Sequence, residues 1–276
     1  METLKLFSHK IWLTLLLALI ACSLTACDIL PSVTINQTPV IPGQATPQLN
    51  TWFQGSPGVQ IRYEDWKGND GDEDTVTIAR FDLHDVALSV AYQPDQPLSM
   101  NEWMQQEQAT AIINGGYFDS DDVATALVVS NGHVSGESYS GFGGMLSVSV
   151  QGQTTLRSLA EQPYNPNEDQ LTQAVQSSPV LVLHGKKTVF TADSNGARRS
   201  VVAMDTAGRL LLIVSPGGAF SLAELAQLLV SSDLSIETAL NLDGGASTGL
   251  YVNAGSRQVT IDAINDLPLV IVMKRR

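Results

Sequence analysis

From about residue 58 to the C-terminus, apolar and β-branched residues arrive in short runs bounded by Gly, Asn, Asp and Pro, a pattern that admits strands and leaves little room for helices. Two such runs, 76–83 (VTIARFDL) and 87–93 (ALSVAYQ), flank a tight turn at His84-Asp85. Thr125–Ser130 and His133–Ser135 flank Asn131-Gly132, a strong hairpin signal because both turn positions tolerate positive φ. Met145–Val150 and Thr154–Leu159 do the same around Gln151-Gly152. Further strands are predicted at 111–114, 178–183, 201–205, 210–214, 239–242 and 267–273.

Helical signals are few. A short helix is predicted over 100–108, and a clearer one over Leu222–Val230, where Leu222, Leu225, Leu228 and Leu229 line one face. Ser221 stands at its N-cap, and Glu224 three residues later completes a capping box. With no internal repeat, residues 58–276 read as one α+β domain of β-rich antiparallel or mixed sheets packed with a few helices. A domain of this size buries a full core without metal or disulfide staples.

The N-terminus reads differently. Lys5, His9 and Lys10 precede an apolar stretch, Ile11–Ile20, too short to span a bilayer, which marks residues 1–26 as an export signal. Leu24-Thr25-Ala26-Cys27 resembles a lipobox, so a lipidated Cys27 and an extracytoplasmic, membrane-anchored protein are expected. Residues 27–57 form the predicted tether. The stretch 29–61 has no charged side chain and carries Pro31, Pro39, Pro42, Pro47 and Pro57. Cys22 and Cys27, the only cysteines, precede the domain and cannot crosslink it. The formal charge of −13 argues against nucleic acid as a partner.

Three segments carry candidate chemistry. In 112–119 (IINGGYFD) a strand ends in Asn114, Gly115 and Gly116 turn the chain, and Tyr117 follows. In 239–248 (ALNLDGGAST) the same grammar places Asp243 at a strand end, with Asn241 before it and Gly244, Gly245, Ser247 and Thr248 after it. Arg198-Arg199 precede a third strand, and an arginine grips phosphate by paired hydrogen bonds. Taken singly, each has a plainer reading: a Gly-Gly turn is usually only a turn, an Arg pair usually lies in solvent, and Glu224 suits a cap.

Their order and spacing change the balance. The segments 112–118, 177–182 (SSPVLV, with Ser178), 198–205 (RRSVVAMD), 221–229 (SLAELAQLL) and 239–248 together resemble the phosphodiester glycosidase family, with the last the most specific. The departures are Ala203 and Ala246 at glycine positions, and Ser215-Pro216-Gly217-Gly218 in place of an Asp-Gly-Arg approach to the helix. The resemblance implies a hydrolase that cleaves glycosyl-1-phosphate diesters in glycans or glycoconjugates. Asp243 is then the expected nucleophile or general base and Glu224 a second carboxylate. Arg199 would grip the phosphate with the Gly244 and Gly245 amides, Ser247 and Thr248. Asn114 and Asn241 would bind sugar hydroxyls, and Tyr117 or Phe118 would stack on a sugar face. The competing expectation is a non-catalytic polysaccharide-binding lipoprotein that serves exopolysaccharide assembly.

No cofactor or metal site is expected. His9, His84, His133 and His184 are scattered without ligand spacing. The acidic runs Asp70/Asp72/Glu73/Asp74 and Asp119/Asp121/Asp122 leave calcium as the one cation with a candidate place, although neither has the closing bidentate Glu of a calcium loop. Ser178 lacks the setting of a nucleophilic serine.

Overall fold

The computed structural model describes residues 48–69, 71–191 and 194–276; the predicted export signal, Cys27 and most of the predicted tether lie outside the described residues. In chain order the strands are β1 (Phe53–Gln54), β2 (Val59–Lys67), β3 (Glu73–Phe81), β4 (Val86–Tyr92), β5 (Ala111–Asn114), β6 (Val128–Ser130), β7 (His133–Ser135), β8 (Gly144–Ser149) and β9 (Thr154–Ser158). Then come β10 (Leu171–Ser177), β11 (Val180–Leu183), β12 (Lys186–Lys187), β13 (Ala197–Asp205), β14 (Leu210–Phe220), β15 (Ile236–Asn241), β16 (Leu250–Asn253), β17 (Gln258–Ile261) and β18 (Leu269–Arg275). Helices α1 (Met100–Glu107) and α2 (Leu222–Ser231) complete the domain.

The strands form three sheets ordered β1-β2-β3-β14-β13-β15-β11-β12, β17-β16-β5-β18-β4 and β7-β6-β10-β8-β9. Alternation decides how they stack. Along β13, Val202 enters the core cluster shared with Ile113 and Ile271 of the second sheet and Leu146 of the third, whereas Val201 and Ala203 face Leu225, Ala226 and Leu229 of α2. On the second sheet's other face, Ile112, Val270 and Val272 pack with Met100 and Trp103 of α1. The result is a layered α+β arrangement with a helix on each outer face, and the β-rich fold class read from the sequence is the one observed.

Both helices start with the same device. Ser221 accepts from the Glu224 amide while Glu224 accepts from the Ser221 amide, and Ser99 and Glu102 repeat the exchange at α1. The Asn131-Gly132 hairpin has φ of 50° and 81°, the left-handed pair that its sequence suggested.

Ordered packing starts earlier than the composition suggests. β1 pairs with β2, the Ser56 amide donates to the Ala254 carbonyl, and Val59 and Ile61 are fully buried, so ordered packing begins before residue 58. Trp52 lies beneath the Arg80 guanidinium, 3.7 Å from its ring centroid. The uncharged run 52–61 is mostly part-buried here, a setting that composition does not separate from a solvated linker.

Candidate active site

Two chain turns meet at the ends of β5 and β15. The Asp243 amide donates to the Gly115 carbonyl at 3.0 Å, and Asn114 Nδ2 donates to the Asp243 carbonyl at 2.6 Å. Asn114 Oδ1 in turn accepts from the Gly249 amide at 3.2 Å. Asn114 is 1% exposed, and both ends of its amide are used on backbone. It therefore holds the site rather than a ligand, a correction to its predicted role on sugar hydroxyls.

The glycines have similar work. A Cβ on Gly115 would stand 2.4 Å from Leu269 Cγ, and one on Gly116 would stand 2.3 Å from the Gln176 carbonyl oxygen. Those contacts seat the turn against the second and third sheets. Gly245 differs: its φ is +59° and a Cβ there would meet nothing within 4 Å, so it borders open space.

The Asp243 carboxyl is half-buried. Its Oδ1 accepts from the Gly244 amide at 2.9 Å, and Ser247 also hydrogen-bonds the side chain. Burial raises its pKa above the ordinary carboxylate value, while the two hydrogen bonds act in the opposite direction. The Gly244 amide thus serves the carboxylate, a correction to its predicted role on a phosphate. Ser247 likewise positions Asp243, and Thr248 is wholly buried, with its carbonyl accepting from Arg198 Nη2 at 3.0 Å.

Beside this turn lies a second polar group. Tyr117 Oη donates to the Ser178 carbonyl at 2.9 Å and accepts from Asn241 Nδ2 at 2.8 Å; Asn241 Nδ2 also donates to that carbonyl at 3.0 Å. Ser178 contributes its main chain. Burial, then the nearby Asp243 charge, pushes the Tyr117 pKa up to about 12, while Arg199 acts against the shift. Asp243 and Arg199 therefore both lie within electrostatic range of one phenol, which stays protonated and donating at physiological pH.

Arg199 is aimed by its neighbours. Its Nε donates to the Phe220 carbonyl at 3.0 Å and its Nη2 to the Asn195 carbonyl at 2.9 Å. Arg198, at the register irregularity of β13, donates to the Thr248 and Asp262 carbonyls. Both arginines are partly exposed and are oriented by carbonyls of the loops at the strand end.

Glu224 lies at the start of α2, where Oε2 accepts from Ser221 Oγ at 2.8 Å and from the Ser221 amide at 3.1 Å. Ser221 and the Asn69 amide hold its pKa below the usual glutamate value. Among the described residues no contact joins Glu224 to Asp243, Tyr117 or Asn241, so the cap reading is the one the geometry supports. Phe118 packs toward the Trp103 cluster on the far side of the second sheet and does not offer a sugar platform.

Sequence reasoning passed over the aromatic that borders the group. Tyr139 stacks on Phe142 with centroids 4.6 Å apart, acts electrostatically on Tyr117, and sits on the 176–178 segment through its amide bond to Gln176 Oε1. Phe142 is 53% exposed. The run Gly136–Gly144 (GESYSGFGG), rich in left-handed glycines, was the available signal for a shaped loop. Of the acidic runs, Asp119 accepts from the Asp121 and Val123 amides, the geometry of a local turn.

A model of the phosphodiester glycosidase family matches residues 107–271, more than half of the chain, and this stretch contains every residue of the Asp243 group. The chain belongs to the phosphodiester glycosidase family. No curated protein sequence matches it. Among solved structures it is similar to the zebrafish N-acetylglucosamine-1-phosphodiester α-N-acetylglucosaminidase catalytic domain, auto-inhibited by its pro-peptide. That match has a TM-score of 0.65 at 18% identity and covers 84% of this chain and 87% of that one. A hypothetical protein from Synechocystis gives 0.61 at 16% identity, covering 84% of this chain and 64% of its own. A putative exported protein from Burkholderia pseudomallei gives 0.51 at 11%, covering 74% of each chain. At these identities the structural matches establish the fold. Membership in the phosphodiester glycosidase family rests on the matched sequence segment.

Proposed function

We propose that this protein is an envelope-anchored phosphodiester glycosidase that hydrolyses glycosyl-1-phosphate diesters in glycans or glycoconjugates, with Asp243 at the reacting carbon. The observation that carries the reading is the half-buried Asp243 carboxyl, fixed by Ser247 and Gly244 beside Tyr117, with the Arg199 charge in range of the same phenol. A binder has no need of a partly desolvated carboxylate fixed by two hydrogen bonds.

In the reaction, the bond from the anomeric carbon to the bridging phosphate oxygen breaks, and that electron pair leaves on the phosphate. Phosphate departs with less protonation than an alcohol, so a single well-placed carboxylate is enough to start the chemistry. Asp243 either attacks the anomeric carbon, forming a glycosyl ester that water then cleaves to release the sugar and restore the carboxylate, or takes a proton from the water that attacks directly. Arg199 neutralises the charge gathering on the departing phosphate, a preorganised interaction that strengthens toward the transition state. Tyr117, locked neutral between Asn241 and Ser178, keeps that wall of the site dry and fixed.

Anchoring through a lipid on Cys27 would place the domain on the extracytoplasmic side of a membrane; its support is the Leu24–Cys27 segment and the apolar stretch before it. Mass analysis of the purified protein would read a diacylglyceryl adduct on Cys27, which Cys27→Ser removes. For the activity, the full chain is incubated with a sugar-1-phosphate methyl diester and free sugar is measured. Release that vanishes in Asp243→Asn supports the enzyme. Saturable glycan binding without release would replace it with a binding protein.

A further inference from the structure

A second carboxylate stands on the face that carries Arg199. Ser215 of β14 is the register partner of Arg199 on β13, and Val201, two residues along, is the partner of Asn241 on β15. Side chains two apart on a strand share a face, so Ser215, Arg199 and Asn241 line one side of the sheet on three neighbouring strands. From the fourth strand, β3, Asp74 joins them. Ser215 Oγ donates to its Oδ2, and the Gly217 amide donates to the same oxygen at 2.8 Å. A Cβ on Gly217 would stand 2.7 Å from Asp74 Oδ1, so the glycine makes the space the carboxylate fills. Asp74 remains partly exposed. Burial raises its pKa, while its hydrogen bonds and the nearby Arg198 oppose that shift.

The order across the sheet is Asp74, Ser215, Arg199, Asn241. At a strand spacing of about 4.8 Å the four strands span about 14 Å across the sheet, and the residues run diagonally over it, with Asn241 and Asp74 offset along the strands to opposite sides of Arg199. Resting on the reading of Asp243 and Arg199 given above, the sugar lies beside Asp243 and the phosphate at Arg199, while the buried Asn241 stands behind them. Asp74 then falls beyond the phosphate. We infer that Asp74 selects the alcohol on the far side of the diester: it accepts hydrogen bonds from the hydroxyls of a sugar or other polyol aglycone and disfavours an aglycone that carries a second negative charge. A carboxylate suits this task because it only accepts hydrogen bonds and repels a further anion.

The test uses the full chain and three compounds sharing one sugar-1-phosphate: the methyl diester, the diester to a hexose, and the UDP-sugar, whose aglycone bears a second phosphate. In Asp74→Ala, kcat/KM for the hexose diester is expected to fall about ten-fold or more relative to the methyl diester, and the UDP-sugar to gain relative to both. An equal factor on all three compounds would overturn the inference, since it would mark a general structural loss. Asp74→Asn, close in shape, repeats the comparison if the alanine variant does not fold. Ser215→Ala, which keeps the charge, is expected to retain discrimination against the UDP-sugar. The same preferences are also measured as Kd on Asp243→Asn protein with and without the Asp74 change. Absence of sugar release in the wild type then counts against the hydrolase alone, and absence of an Asp74-dependent preference in binding counts against this inference alone.

Discussion

The turn at Asp243 and the start of α2 each offer a carboxylate close to a serine four residues away or nearer, yet the pKa values of the two carboxylates are shifted in opposite directions. Asp243 is half-buried, and burial outweighs its two hydrogen bonds, so its pKa is raised. Glu224 is bonded by Ser221 and Asn69 with little desolvation, so its pKa is lowered. What separates them is dielectric and not hydrogen bonding, which both have. A carboxylate that the fold partly strips of water stores reactivity, whereas one that ties off a helix end stores stability.

Four experiments would break or sharpen that contrast. Asp243→Asn is expected to lower kcat by about 10²–10⁴-fold while Tm stays level or rises slightly, because the amide keeps the shape and removes a poorly solvated charge. Wild-type turnover in this variant would remove Asp243 from the chemistry. Asn114→Ala should cost about 2–3 kcal/mol in denaturant unfolding, since it strips buried bonds from Asp243 and Gly249, and kcat should fall with it as the turn loosens. Stability unchanged in this variant would mean that the turn is held by other contacts.

The third experiment is titration. With its folded pKa raised, Asp243 costs stability as pH climbs from the unfolded carboxylate value through the folded one. With its folded pKa lowered, Glu224 adds stability above the unfolded value and loses it as pH falls through the folded one. Tm against pH for Asp243→Asn and Glu224→Gln should therefore depart from the wild type in opposite senses, and departures of the same sign would erase the distinction. On the activity side, kcat/KM should fall on the acid limb with an apparent pKa above about 3.9, the ordinary Asp value, as Asp243 takes up its proton. The smallest effect belongs to Glu224→Ala, expected to cost about 1 kcal/mol as a lost cap with kcat within a few-fold of wild type. A loss of kcat like that of Asp243→Asn would return Glu224 to the mechanism.

Much of the fold was legible because its signals are local. The Asn131-Gly132 turn, the Ser221–Glu224 cap and the short β-branched runs each depend on neighbouring residues alone, and each appears where its sequence put it. The strands Leu171–Ser177 and Leu250–Asn253 carried no such punctuation; they exist because each lies between two partner strands in its sheet. The start of the domain was misplaced for a related reason, since an uncharged run reads the same in a linker and in a core.

The site divides along the same line. From the chain alone came the residue types at the ends of β5, β13 and β15, and the family to which their order belongs. Tertiary packing decided what each one does: that Asn114 and Gly115 brace Asp243, that Gly244 serves a carboxylate, that Ser178 offers only its carbonyl, and that Asp74 joins the row through Ser215 from a strand 141 residues away in sequence. Sequence can specify a turn because a turn is closed by residues in succession. The charge state of a carboxyl, and the partner at its other oxygen, depend on what the rest of the fold brings against it.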